Sequence, residues 1–128
     1  MSGVILGFDF GVKKIGIAVG QQVTRTANPL TIIRARDGIP DWDALDNIMN
    51  EWRPTQLVVG LPLNMDDTPS DMSALAEKFG RRLNGRYNLP VEMMDERLST
   101  FEAQQRAEGE ETVDAIAATV ILESWLTR

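Results

Sequence analysis

The sequence contains no cysteine and no histidine. Without cysteine no disulfide forms, so the fold does not depend on an oxidising compartment. Without either residue there is no Cys/His zinc site, no Ser-His-Asp or Cys-His nucleophile system and no histidine general base. Chemistry must then come from carboxylates, Lys, Tyr, hydroxyls, backbone dipoles or a metal held by carboxylates. Long apolar runs are also missing, and no stretch nears the ~20 residues that a membrane span needs. The run from Val4 to Phe10 has no basic flank before it, is interrupted by Asp9 and is followed by Gly11, unlike a signal peptide. A cytoplasmic protein with no membrane partner is the expectation. Positive charge is in deficit: 13 Lys and Arg stand against 19 Asp and Glu, a net charge of −6. That balance argues against a basic nucleic-acid-binding coat but leaves room for a local basic patch.

What is present suits one domain over residues 1–128, with 43% apolar residues to build a core. Repeats, low-complexity tracts and long linkers are not seen. Val4 to Phe10 and Ile15 to Gly20 read as strands joined by a tight turn at Gly11-Val12-Lys13-Lys14. Pro29 to Arg34 reads as a third strand, and Ile39-Pro40-Asp41 as a turn with Asp41 as helix N-cap. Trp42, Leu45, Ile48, Met49 and Trp52 then recur at helical spacing until Pro54. Gln56 to Leu61 reads as a buried strand. A second helix follows Ser70, with Met72, Leu75, Ala76, Phe79 and Leu83 on its core face and Asn84-Gly85 as its end. Val91 to Met94 is another strand. Ser99 and Glu102 form a capping box for a short helix. A last helix starts near Thr112 and carries Val113, Ile116, Ala117, Val120, Ile121 and Ser124 on one face. The order β-β-β-α-β-α-β-α-α means a mixed sheet covered by helices, with the Gln56 and Val91 strands parallel to a strand of the leading meander.

Three acids stand out against this pattern. Asp9 interrupts an apolar strand, on the face of Ile5 and Gly7, where an unpaired charge is costly. A solvated strand end is the plainer explanation, but buried acids are rare unless satisfied. Glu96 directly follows a strand, at the carboxyl end where sheets of this kind bind ligands. A salt bridge to Arg97 is the plainer explanation. Asp114 lies in the first turn of the last helix, where the helix dipole alone favours an acid. It nevertheless shares a stripe with Ala118, Ile121 and Trp125. Together the three are expected at one edge of the sheet. Clustered carboxylates repel, and a divalent cation such as Mg²⁺ or Mn²⁺ relieves them. Two such ions about 4 Å apart clamp an in-line attack on a phosphodiester, with no need of histidine or cysteine.

Four ordered segments resemble motifs of the bacterial YqgF/RuvX family. They are Gly7-Phe8-Asp9-Phe10-Gly11-Val12-Lys13-Lys14-Ile15-Gly16-Ile17-Ala18, Val59-Gly60-Leu61-Pro62-Leu63-Asn64, Asp95-Glu96-Arg97-Leu98-Ser99-Thr100, and Val113-Asp114-Ala115 before an apolar helix. The resemblance spans nearly the whole chain. It implies an α/β, ribonuclease H-like fold with a mixed five-stranded sheet and helices on both faces. It implies a Mg²⁺- or Mn²⁺-dependent nuclease, acting on pre-16S ribosomal RNA or as a Holliday junction resolvase on branched DNA, as a monomer or homodimer. Carried over by motif, Asp9, Glu96 and Asp114 are the metal-binding and catalytic acids, holding Mg²⁺, orienting the attacking water and stabilising the leaving 3′-oxygen. Lys13, Lys14 and Arg97 would contact phosphate, and Asn64 would orient substrate. Family members carry a longer, glycine-rich basic loop before the fourth motif, whereas Arg106 to Thr112 here is short and acidic.

Other basic candidates for phosphate are Arg34 with Arg36, and Arg81 and Arg82 with Arg86, the latter read mainly as a solvated helix face. Trp42 and Trp52 fit the core better than a base-stacking role, and Trp125 fits core or a dimer contact. Two further functions compete. Asp9-Phe10-Gly11 also resembles the phosphate loop of sugar kinases and actin-like ATPases, but Val12 replaces their hydroxyl residue and one lobe cannot enclose ATP. A non-catalytic binding module would suit the negative charge, but has no use for all three acids.

Overall fold

The computed structural model describes residues 3–61, 71–95 and 113–128, with the side chain of Val113 excepted. Strand β1 (Val4–Asp9) pairs antiparallel with β2 (Lys14–Gln21), and β2 with β3 (Thr26–Arg36). A short strand, β4 (Ile39–Pro40), pairs with Ala35 and Arg36 at the end of β3. Strand β5 (Gln56–Leu61) runs parallel to β1, and β6 (Val91–Asp95) parallel to β5. The sheet order is β4-β3-β2-β1-β5-β6. This is the mixed sheet expected, with six strands among the described residues rather than five.

The added strand is β4, where the sequence suggested a turn. The turn lies two residues earlier. Asp37 and Gly38 both have positive φ, 52° and 83°, the geometry of a two-residue hairpin loop. Pro40 is tolerated because β4 is an edge strand. Strand β3 also begins earlier than Pro29. A bulge opposite Ile17 and Ala18 admits Pro29, which brings no N–H to the ladder.

Helix α1 (Trp42–Trp52) starts where Asp41 Oδ1 accepts the Ala44 N–H at 3.2 Å. It ends at Arg53, left-handed at φ 47°, just before Pro54. Helix α2 (Asp71–Tyr87) runs past Asn84-Gly85, the expected end. The left-handed residue is Asn88, whose N–H bonds the Asn84 carbonyl at 2.9 Å. Asp46 of α1 also holds the last turn: Arg86 donates to it at 2.7 and 3.0 Å, and the Tyr87 hydroxyl at 2.6 Å. The buried side of α2 is Ser73, Ala76, Phe79, Gly80 and Leu83, and Leu75 turns outward. The expected helix after Ser99, and the caps Ser70 and Thr112, lie outside the described residues. Helix α3 (Val113–Leu126) completes the chain.

Alternation along the strands sorts the core into two faces. Leu6, Phe8, Phe10, Ile15, Ile17, Leu57 and Val59 pack against α1 and α2. Phe8 meets Phe79 edge to face, with ring centroids 5.6 Å apart. Trp42 and Trp52 cover this cluster as half-buried core residues. Ile5, Ala18 and Val58 face the other way, onto Ala118, Ile121, Leu122 and Trp125 of α3. That contact face is rotated from the one expected, and Ser124 is exposed. Trp125 is core: it is buried, and its Nε1 donates to Glu92 at 2.6 Å.

Candidate active site

Asp9 is the last residue of β1 and is half-buried. The apolar residues before it hold β1 in the centre of the sheet, so the acid emerges at the strand's carboxyl end. Strands β5 and β6 run parallel to β1 and end on the same edge, at Leu61 and Asp95. Asp9 is paired with Gly16 of β2, and directly opposed residues share a face. Its side chain therefore lies on the α3 face, with Ile5 and Gly7, as the alternation predicts.

Glycine decides what comes next to it. A Cβ on Gly16 would overlap the Asp114 carbonyl and approach Ala115 N at 2.8 Å. A Cβ on Gly7 would meet Leu122 Cβ at 2.9 Å and the Ala118 carbonyl oxygen at 3.2 Å. One on Gly20 would meet Leu122 Cδ2 at 2.9 Å. With Ala18 these glycines form a stripe of small residues, and α3 lies backbone-close along it. The first turn of α3 is thereby set down on Gly16, beside Asp9.

Asp114 occupies that first turn, at the head of the stripe Ala118, Ile121 and Trp125. Its Oδ2 is buried and accepts no hydrogen bond, but lies 3.1 Å from Lys14 Nζ. Lys14 is half-exposed, starts β2 and projects on the same face as Gly16. Lys13 is exposed in the turn, and its carbonyl accepts the Ala35 N–H at 2.8 Å.

The structure thus brings Asp9, Lys14 and Asp114 to one corner, with Lys13 at its rim. Glu96, Arg97 and Asn64, expected in the same site, lie outside the described residues. Among the described residues, no three carboxylates gather as a metal-binding group. The residues present still fit a divalent cation. The donors are hard oxygens, and the buried Asp114 Oδ2, whose ion-pair partner is the Lys14 ammonium at 3.1 Å, keeps acceptor capacity beyond that pair.

Arg86 is engaged elsewhere: it pairs with Asp46 and stacks on Trp42 at 4.6 Å from the ring centroid. What the sequence reasoning missed is the glycine stripe. Its signal was legible in the period-two spacing Gly16, Ala18, Gly20 and in Gly7 beside Asp9.

A mixed sheet led by an antiparallel meander, with helices on both faces, defines a ribonuclease H-like protein. Two solved structures share this fold over most of their length. RuvC of Thermus thermophilus, in complex with a Holliday junction substrate, has a TM-score of 0.56 at 14% identity, covering 97% of this chain and 93% of that one. The fowlpox virus resolvase with Holliday junction DNA has 0.54 at 12%, covering 97% of both. The chain belongs to the RuvX family, described as Holliday junction resolvase, whose model matches residues 3–128. A Pseudomonas putida protein named "Putative pre-16S rRNA nuclease" is 54% identical over 132 residues, covering 96% of this chain and 94% of its own. The protein of the same name from Azotobacter vinelandii is 52% identical over 136 residues, covering 98% and 96%.

Proposed function

We propose that this protein is a cytoplasmic, divalent-metal-dependent nuclease that hydrolyses phosphodiester bonds in structured nucleic acid, with 5′-end processing of pre-16S ribosomal RNA as its task. The observation that carries this reading is the seating of Asp114 on Gly16, beside Asp9, at the carboxyl ends of the strands. The names of the curated relatives support the RNA substrate. Asp9 and Asp114, with Glu96, would hold Mg²⁺ or Mn²⁺. When bound, the cation supplies Lewis acidity for water activation and for charge on the leaving 3′-oxygen. Asp9 and Asp114 fix that position from a strand and a helix, both rigid elements. Lys14 holds the Asp114 carboxylate in place and puts positive charge beside the incoming phosphate. Lys13, at the rim, contacts a neighbouring phosphate. Asn64 and Arg97 would orient the substrate from the adjoining segments.

A second reading, resolution of four-way DNA junctions, is favoured by the family description. It requires a symmetric dimer that cuts two strands. Incubation with a 5′-extended 16S precursor and with a four-way junction, with and without Mg²⁺ or Mn²⁺, tests both. Metal-dependent cleavage of the precursor is expected, and Asp9→Asn should lower the rate on the order of 10²–10³-fold, as the loss of one charge-stabilising group does. Cleavage of neither substrate at any metal concentration, or equal cleavage by Asp9→Asn, would sink the proposal.

A further inference from the structure

Lys14 and Arg34 are direct cross-strand partners, so their side chains share one face of the sheet. Arg36 is two residues further along β3 and falls on that face again. The neighbouring strands are about 4.8 Å apart, and alternate residues on a strand about 6.7 Å. A row of three cations therefore leads from the Asp114 corner out to the β3–β4 hairpin.

This row differs from two arginines elsewhere in the molecule, Arg86 and Arg128. Arg86 is locked to Asp46 and Trp42, and Arg128 lies over Trp125 with Glu92 3.6 Å away. Arg34 and Arg36 are exposed and make no ion pair among the described residues. The nearest acids in sequence do not neutralise them: Asp41 is engaged in capping α1, and Asp37 in the hairpin turn pairs with neither. The platform beneath is rigid. Ala35 N–H bonds the Lys13 carbonyl at 2.8 Å, and Gly38 N–H the Val12 carbonyl at 3.0 Å, tying the hairpin to the turn after Asp9. In a chain with a net charge of −6, uncompensated cations fixed beside an acidic site have a specific use.

We infer that Arg34 and Arg36 form a phosphate-binding arm of the active site, gripping the nucleic-acid backbone as it leaves the acids across the ends of β2 and β3. The inference rests on the nuclease reading for its substrate but concerns binding, which is measured separately. The grip is through phosphates, so it is not sequence-specific and is salt-dependent.

The test measures binding of a 5′-extended 16S precursor fragment and of a four-way junction as a function of salt. Ca²⁺ replaces Mg²⁺ to hold the substrate uncut. The double variant Arg34→Ala/Arg36→Ala should bind on the order of ten-fold more weakly, and its log–log salt slope should fall by about 1.6, roughly 0.8 for each phosphate no longer neutralised. Arg34→Lys/Arg36→Lys should keep most of the slope, and Arg81→Ala, across the sheet on α2, should keep all of it. Both arginines are exposed, so thermal unfolding should match the unsubstituted protein. Unchanged affinity and slope in the alanine double variant overturn the inference, even where cleavage proceeds. Weakened binding in a protein that cuts nothing upholds the arm and rejects the nuclease reading. A protein that binds neither nucleic acid rejects both.

Discussion

The two faces of the sheet are built by opposite means. Toward α1 and α2 the strands offer Leu6, Phe8, Phe10, Ile15 and Ile17, and the helices answer with Phe79, Leu83, Leu45 and Met49. Toward α3 the same strands offer Gly7, Gly16, Ala18 and Gly20. Bulk on the first face removes much apolar area from water, at about 1.5–3 kcal/mol per large side chain. On the second face Ile5 and Val58 still bury against Ile121, Leu122 and Trp125, but the glycines between them let a helix backbone rest on the strands. Both faces bury apolar side chains, and the second also fixes the position of a carboxylate. The residues that matter most for the site's geometry are therefore ones without side chains.

Three substitutions separate these roles, and the largest effect belongs to the bulky face. Phe79→Ala removes the ring that meets both Phe8 and Phe10, with centroids 5.6 and 5.3 Å away. It should cost about 3–5 kcal/mol in urea unfolding, while each remaining folded molecule cuts normally. Gly16→Ala should cost less, about 1–3 kcal/mol, because one methyl is forced against the Asp114 peptide, which must move away. The smallest effect lies outside both cores. Arg86 and then Tyr87, by hydrogen bonding, hold the Asp46 carboxyl at about 2, below its ordinary value of 3.8. A depressed carboxylate stabilises the fold above its unfolded pKa, and the contribution fades as pH falls from near 4 through about 2. Asp46→Asn should flatten the acid limb of the stability curve in that window alone. High salt should shrink the difference, since the pair is solvent-exposed. A variant that lost stability equally at pH 3 and pH 7 would contradict this origin.

Much of this was legible from residue order. Asp9 and Asp114 stand out as acids placed against an apolar pattern, and the structure sets both at one corner of the sheet. The parallel placement of β5 and β6 followed from the handedness of crossovers. The Asp37-Gly38 hairpin had a sequence signal, but the proline after it suggested a turn, and the two-residue strand β4 is too short to show a period. The end of α2 was misplaced because Asn84-Gly85 looks like a cap, while the anchor that extends the helix is Asp46, some forty residues away. No local pattern carries such a contact. The rotation of α3 was hidden for a related reason: the helix is apolar nearly all round, so its sequence does not say which side meets the glycines. Arg34 and Arg36 stand among the basic candidates for phosphate in the sequence, but only strand register aligns them with Lys14.

The position of Asp114, the proposed catalytic acid, depends on the seating of α3 by glycine, and Gly16→Ala tests this most directly. Cleavage of the 5′-extended 16S precursor with Mg²⁺ is compared between this variant and Leu83→Ala, a core deletion within α2, at a temperature where unfolding curves show both fully folded. Gly16→Ala should lose at least roughly ten-fold in rate, the scale set by an ångström-level displacement of a catalytic group. Leu83→Ala should cut at the rate of the unsubstituted protein. Full cleavage by folded Gly16→Ala, or an equal loss in both variants, would contradict the positioning of Asp114 by the small-residue stripe.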